Sequence, residues 1–350
     1  MKILDICTVD FSFTGIPVHV RNFYNELKKR NIVDIVAPSF DAKFLETMPL
    51  KNNTKLYSLP RKKNPCAYLL GLSRLVKKEN YDVIHIHGNS STMALELFAC
   101  DSVNALKIVH THNTEYKAKV LNKLLNGYML NKADVLFAAS MKAGQKLYKN
   151  NHFYVINNGI DESSFKYNVQ KRAEIRKKYN IKDTQVVIGH VGTFNYQKNQ
   201  DFLIKIAQKL SCLKYKFILI GDGKREEFKK RIKELNLEDR FIILPTNNHI
   251  QDFYSAFDIF AFPSRFEGLG MAAVEAQISG VFCILSDNVP QEARISKRTF
   301  FLPLKVENWI KIIKSYHYEN QRNDVFSKKY DIHNCAIQLE KIYKENSDNK

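Results

Sequence analysis

Two glutamates with seven residues between them, Glu267 and Glu275, stand in the stretch PSRFEGLGMAAVEAQISG (263–280). The apolar run Ile259 to Phe262 ahead of them has strand character, and AAVEAQ behind them reads as helix. Glu267 is therefore expected in a strand-to-helix loop and Glu275 about two turns into the helix. The start of such a helix offers unpaired N–H groups and the positive end of a dipole, which together favour a phosphate. The amides of Leu269 and Gly270 fall there, next to Gly268. Glu275 is flanked by Ala272, Ala273, Val274, Ala276 and Ile278, where a carboxylate is costly unless something pairs with it. Ribose hydroxyls are one such partner, as they are for the acidic residue of dinucleotide folds; a solvated helix face is the plainer alternative.

Other segments carry candidate chemistry. IGHVGTFNYQKNQDFLIKIAQKL (188–210) reads as strand, loop and helix, with Gly189 and Gly192 permitting tight turns and Lys198 just ahead of the helix. A lysine there can neutralise a diphosphate leaving group, although surface lysines are abundant in this chain. Gly15 lies between the first strand and its helix, and Asn158-Gly159 is a strong turn signal. GDG at 221–223 is a weak phosphate motif by itself. His85 and His87 end one strand, and His110 and His112 the next. Four histidines suggest a metal at first sight, but each pair is spaced i,i+2, and no cysteine or carboxylate cluster joins them in sequence.

These residues need elements to position them. Short apolar runs alternate with amphipathic ones, the pattern of parallel α/β architecture. In the first half the strands are MKILDI, NIVDIVA, DVIHIH, LKIVHTH, DVLFAAS and FYVINNG. In the second they are QVVIGHVG, KFILIG, FIILP, DIFAFPS and VFCILS. Each half supplies its own open sheet, and ligands of such sheets bind at the carboxyl ends of the strands.

Composition narrows the class. The 350 residues are enough for two domains, and 45% apolar content describes a globular protein. No run approaches the roughly 18 apolar residues of a membrane helix, and MKILDICTVD reads as a first strand, not a signal peptide. The six scattered cysteines (Cys7, Cys66, Cys100, Cys212, Cys283, Cys335) lack a CxxC pair and suit a reducing cytosol. The formal net charge of +18 implies attraction for anions. In Arg61 to Lys78, basic clusters flank an apolar core without any acid, so the segment is expected either on an anionic leaflet or packed on its own domain.

FEGLGMAAVEAQISG resembles the donor-nucleotide signature of the retaining glycosyltransferases of family four, and the likeness extends over nearly the whole chain. It is nearest to bacterial members that build capsular or exopolysaccharide units. The resemblance implies a GT-B architecture, two Rossmann-like α/β domains facing across a cleft. It places an acceptor-binding domain at 1–165, a donor domain at 166–330 and a terminal helix (331–350) packed back on the first domain. It implies a nucleoside-diphosphate sugar as co-substrate, a UDP-sugar by preference, with no cofactor. Lys198 and the Leu269 and Gly270 amides would hold the diphosphate, with Gly15, Gly192, Thr193 and Gly268 lining its loops. Glu275 would accept from ribose, Glu267 would contact the transferred sugar, and His110 or His112 would touch it near the reacting carbon. The leaving phosphate oxygen would take the acceptor's proton on the same face, which retains configuration.

Three positions depart from the family pattern: Thr193 replaces an arginine, Gly270 a proline and Thr14 the first of two glycines. With no DxD motif in a loop, no metal is expected. The expected acceptor is polyprenyl-diphosphate-linked or another glycan, reached from the cytoplasm with peripheral contact to the inner membrane face. A UDP-sugar epimerase or hydrolase, and a degenerate nucleotide-binding homologue, are the alternatives. A nucleic-acid binder is disfavoured by the lack of any recognised module, and a nicotinamide dehydrogenase by the lack of GxGxxG after the first strand.

Overall fold

The computed structural model describes residues 1–61, 63–113, 119–210, 214–246, 249–317, 322 and 325–347. The chain forms two compact units, Met1–Asp161 with Lys328–Lys350, and Glu162–Ser327.

In the first unit seven strands form one parallel sheet: β1 (Lys2–Cys7), β2 (Ile32–Ala37), β3 (Leu56–Ser58), β4 (Val83–Gly88), β5 (Leu106–Thr111), β6 (Val135–Ala138) and β7 (Tyr154–Val155). Their order is β3-β2-β1-β4-β5-β6-β7. Helices α1 (Gly15–Leu27), α2 (Ala42–Leu45), α3 (Pro65–Glu79), α4 (Ala94–Ala99), α5 (Lys119–Lys132) and α6 (Met141–Tyr148) connect them. The central strands are apolar on both faces because helices cover both. One core layer joins Ile3, Val33, Val83 and Ile108 to Val20 and Phe23 of α1 and to Leu339 and Tyr343 of α13 (Ile332–Ser347). The other joins Leu4, Ile84 and Val109 to Tyr68 and Leu72 of α3, Leu97 of α4 and Met129 of α5.

The last helix thus returns to the first unit. Arg30 grips Glu340 at 2.6 Å, and the Ile160–Asp331 bridge ties the returning chain beside Gly159. A Cβ on Gly159 would come within 2.8 Å of the Ile332 backbone, so glycine is needed there for close approach.

The second unit has six parallel strands: β8 (Val186–Val191), β9 (Tyr215–Ile220), β10 (Phe241–Leu244), β11 (Ile259–Phe262), β12 (Phe282–Ser286) and β13 (Thr299–Leu302), ordered β10-β9-β8-β11-β12-β13. Its helices are α7 (Val169–Lys178), α8 (Asp201–Lys209), α9 (Arg225–Glu234), α10 (Ile250–Ala256), α11 (Met271–Ile278) and α12 (Val306–Lys314). In both sheets the strand order reverses once, between β1 and β4 and between β8 and β11. Ligands of open α/β sheets sit at that switch, outside the carboxyl ends of the strands.

The doubly wound α/β class expected from the sequence is what the chain adopts. Two strands escaped the sequence reading, β3 and β13. Each is a sheet edge of three or four residues and partly exposed; β3 has no apolar run, and in β13 the run Phe300 to Leu302 is short and ends at Pro303. Gly189 is no turn residue either. It lies inside β8, where a Cβ would meet the Phe257 ring at 2.2 Å, so it serves packing. Among the described residues no disulfide joins Cys7, Cys66, Cys100, Cys283 or Cys335; Cys212 lies outside the described residues.

Candidate functional site

In the second unit the switch point is built by the loops that leave β8 and β11. Lys198 comes from the first loop and Glu267 from the second, and they meet at 2.6 Å, Lys198 Nζ on Glu267 Oε1. Glu267 is 5% exposed, so the pair is largely desolvated. Gln197 Nε2 donates to its other carboxylate oxygen at 3.3 Å, and the Lys198 ammonium stands 4.7 Å above the Phe262 ring. Lys198 also lies along Gly192, where a Cβ would come within 3.1 Å of its side chain.

Gln200 holds this loop from beneath. Its Nε2 donates to the Gly192 and Thr193 carbonyls at 3.1 and 3.0 Å and faces His190 Nε2 at 3.2 Å. His190 in turn donates from Nδ1 to the Ala261 carbonyl at 2.9 Å. Burial brings its pKa down to about 4, so it is a neutral acceptor for Gln200. The GDG turn pairs with the same loop: Phe194 N–H donates to Asp222 O, and Lys224 N–H to Phe194 O. A Cβ on Gly221 would lie 2.1 Å from the Gly192 carbonyl oxygen, which explains that glycine. The Thr193 methyl lies against Gly223, so this exposed position presents no cation. Arg265, on the facing loop, bonds Asn199 Oδ1 at 3.0 Å and stacks on Tyr196 at 4.5 Å.

Gly268, Leu269 and Gly270 are buried and lead into α11. Gly270 is its N-cap, with φ of 88° in the left-handed region. Proline, fixed near −65°, cannot adopt that backbone. No side chain caps α11, so its first amides keep their capacity for an anion. The helix starts at Met271, which puts Glu275 little more than one turn inside it, not the two turns expected, because 266–270 is loop. The partner that an apolar helix demands for Glu275 is Tyr254 of α10, whose hydroxyl donates to Oε2 at 2.7 Å. Tyr254 is fully buried and its pKa is raised, first by burial and then by that carboxylate, so it stays a donor.

In the first unit Gly15 begins α1. Its N-cap Thr14 makes no side-chain cap bond, and nothing lies within 4 Å of a Cβ on Gly15. Behind it, five histidines meet at the carboxyl ends of β1, β4 and β5. His85 and His87 lie 3.9 Å apart, ring to ring, and His110 and His112 4.1 Å. His19 of α1 stands 5.0 Å from His110 and 4.7 Å from His112. The expectation that no carboxylate joins these histidines fails: β1 delivers Asp5, whose Oδ1 is 3.0 Å from His87 Nε2 and 3.7 Å from His85 Nδ1. Sequence gave no sign of this, because Asp5 is 80 residues away and looks like any strand residue. His19 was missed for the same reason. His85 is a hydrogen-bonded strand histidine, held between Tyr343 Oη at 2.6 Å and His110 Nδ1 at 3.2 Å. Burial holds His85, His110 and His112 well below their ordinary pKa, and His19 at about 3, so their rings are neutral.

The basic segment 61–78 packs its apolar side on its own domain, while Lys63, Arg74, Lys77 and Lys78 stay exposed and Arg61 is paired. Its acid arrives from α4: Arg61 Nε bonds the fully buried Glu96 at 2.6 Å. Tyr68, Leu72 and Val76 fill the core. Exposed apolar side chains remain on three neighbouring helices, Leu70 of α3, Phe98 of α4 and Val120, Leu121 and Leu124 of α5. Among the described residues no helix is long and apolar enough to cross a membrane.

Two family models match the chain, "Glycosyltransferase Family 4" over residues 13–164 and "Glycosyl transferases group 1" over 171–314. A putative glycosyltransferase of Bacillus subtilis, EpsF, is 27% identical over 296 residues, 79% of this chain and 77% of that one. The Escherichia coli UDP-Gal:alpha-D-GlcNAc-diphosphoundecaprenol alpha-1,3-galactosyltransferase is 28% identical over 237 residues, 63% of this chain and 61% of that one. Among solved structures, Anabaena HepE in complex with UDP-glucose superposes with a TM-score of 0.81 at 18% identity, covering 99% of this chain and 100% of that one.

Proposed function

We propose a reaction that proceeds from one fact: this chain belongs to glycosyltransferase family four. In it a sugar passes from a UDP-sugar to a glycan or lipid-linked acceptor of surface polysaccharide synthesis, with retention of configuration and with no metal on the diphosphate. The observation that carries the reading is the Lys198–Glu267 pair, which sits at the sheet's switch point beside the uncapped start of α11. The relatives' names, a diphosphoundecaprenol galactosyltransferase among them, support the donor and acceptor classes.

Glu275 accepts from the ribose hydroxyls while Tyr254 fixes its carboxylate. Lys198 and the Leu269 and Gly270 amides face the diphosphate, where charge grows as the glycosidic bond breaks. As Lys198 turns to phosphate, Glu267 is released to the hydroxyls of the transferred sugar. Gln200 acts through the loop it holds and is a positioning residue. His112, half-buried where His110 is fully buried, is the histidine better placed to meet the sugar. Thr193 leaves Lys198 as the loop's cation, and the phosphate oxygen itself receives the acceptor's proton.

Calorimetry with UDP, GDP and ADP without metal tests the donor site. UDP is expected to bind at micromolar level, and Glu275→Ala to weaken it about 10-fold or more through the loss of charge-assisted hydrogen bonds. Binding of none of the three would end the transferase reading, and sugar turnover without any acceptor would favour an epimerase or hydrolase.

The lipid-linked acceptor implies work at a membrane surface. Val120, Leu121 and Leu124, with Lys123 among them and a surplus of positive charge, suit an anionic leaflet. Liposomes containing anionic lipid are expected to bind the protein, and Val120→Glu with Leu124→Glu to weaken this about 10-fold or more, from the lost apolar burial. Equal binding to neutral vesicles would remove the electrostatic part of the proposal.

A further inference from the structure

The histidine cluster of the first unit has a property that sugar transfer does not use. Nitrogen atoms of His19, His87, His110 and His112, one from each, all lie within 4.8 Å of one another. His19 Nε2, His110 Nε2 and His112 Nδ1 are buried and have no hydrogen-bond partner. An orphaned buried polar atom is costly, and three in one place call for a common partner.

The protons of these rings are fixed from outside. Asn158 Oδ1, 2.7 Å from His19 Nδ1, can only accept, so Nδ1 carries the proton and Nε2 keeps its lone pair. Asp5 does the same for His87, accepting from Nε2 at 3.0 Å and leaving the lone pair on Nδ1. That lone pair receives His112 Nε2–H at 3.1 Å, so His112 Nδ1 is bare. When His85 donates from Nδ1 to Tyr343, its Nε2 accepts from His110 Nδ1, and His110 Nε2 is bare as well. Imidazoles oriented by a carboxylate, a carboxamide and a third ring are the outer-shell arrangement of metal-bound histidine.

We propose that His19, His110 and His112 form a three-histidine binding site for a divalent transition metal of the zinc class, with Asn158 orienting His19, His85 orienting His110, and Asp5 acting through His87 to orient His112. Imidazole nitrogen selects such ions over magnesium or calcium, which take oxygen. Zn–N bonds of about 2.0–2.1 Å put tetrahedral ligands about 3.4 Å apart, so the cluster contracts by about 1 Å on loading. The ion would pin α1 to the end of β5 and, through Asn158, to the turn before the second unit. It takes no part in the proposed transfer chemistry. His112 would serve either the ion or a sugar, so the ion would slow turnover instead of supporting it.

The test uses the full chain without an affinity tag, titrated with Co2+ and then Zn2+. The expected result is one equivalent of Co2+ with the visible bands of tetrahedral coordination, displaced by Zn2+, and a raised unfolding temperature for the loaded protein. His19→Gln should abolish the bands. Asn158→Ala, which keeps all three rings, should weaken binding about 10–100-fold. No stoichiometric binding to the wild type at micromolar metal overturns the proposal. So does a spectrum unchanged in His19→Gln, which would assign the ion to exposed histidines such as His152, His317 or His333. Should His19→Gln fail to fold, the wild-type spectrum and Asn158→Ala decide the matter. Calorimetry with UDP is independent of all these readouts.

Discussion

Lys198→Met is expected to lower turnover about 10²- to 10³-fold, the effect of removing one preorganised donor from developing oxyanion charge. In the resting protein its ammonium is held by Glu267 at 2.6 Å, so the substitution has a second consequence. It leaves a carboxylate that is 5% exposed with Gln197 as its remaining partner at 3.3 Å, and stability falls with activity. The double variant Lys198→Met/Glu267→Gln removes both charges and separates the effects. It is expected to recover the unfolding midpoint and to remain inactive. Release of UDP from a UDP-sugar by slow hydrolysis gives a readout that needs no acceptor, and thermal unfolding gives the other. Hydrolysis by Lys198→Met within a factor of three of the wild type would remove Lys198 from the reaction.

The largest stability effect is expected at Asp258, remote in role from any ligand. It is 2% exposed and receives Arg172 at 2.7 Å, Arg176 at 3.3 Å and the Val187 amide at 2.7 Å, with Arg322 at 3.8 Å. The network joins α7 to the starts of β8 and β11, the ends of those strands opposite the switch-point loops. Asp258→Ala would leave guanidinium groups buried without a counter-charge, at a cost of about 3–5 kcal/mol. With a urea dependence of about 1–3 kcal/mol/M, the midpoint of the second unit should fall by one molar or more. Asp258→Asn keeps the shape and the acceptor oxygen and loses the charge, so it should fall between. A midpoint unchanged in Asp258→Ala would mean that the arginines reach solvent at no cost, and the network would have no structural role.

Much of the scaffold was legible because parallel strands covered on both faces must be continuously apolar. Runs such as VVIGHV and YKFILI declare themselves without any partner. β3 and β13 did not, since an edge strand is half-solvated and these two are only three and four residues long. The loop of Glu267 was legible as well, because strand, glycines and helix follow one another in the chain. What failed was distance along the sequence. Nothing near Glu275 names Tyr254, and no acid within 61–78 hints at Glu96. Gly189 misled in the same way: a glycine after an apolar run suggests a turn, and only Phe257 across the strand shows that it is there for space.

The sequence by itself determined the alternation of strand and helix, the family, and the two strand-to-helix loops that carry Lys198, Glu267 and their glycines. These are properties of local order, encoded by periodicity and short spacing. The tertiary structure alone decided which groups satisfy which. It gave Glu275 a phenol, gave Lys198 a carboxylate from the neighbouring loop, and gave Arg61 the buried carboxylate of Glu96. It also gathered Asp5, His19, His85, His87, His110 and His112 from four separate elements into one buried cluster. The reason is physical: a buried polar group must find a partner, and chain reversal between parallel strands brings that partner from tens of residues away.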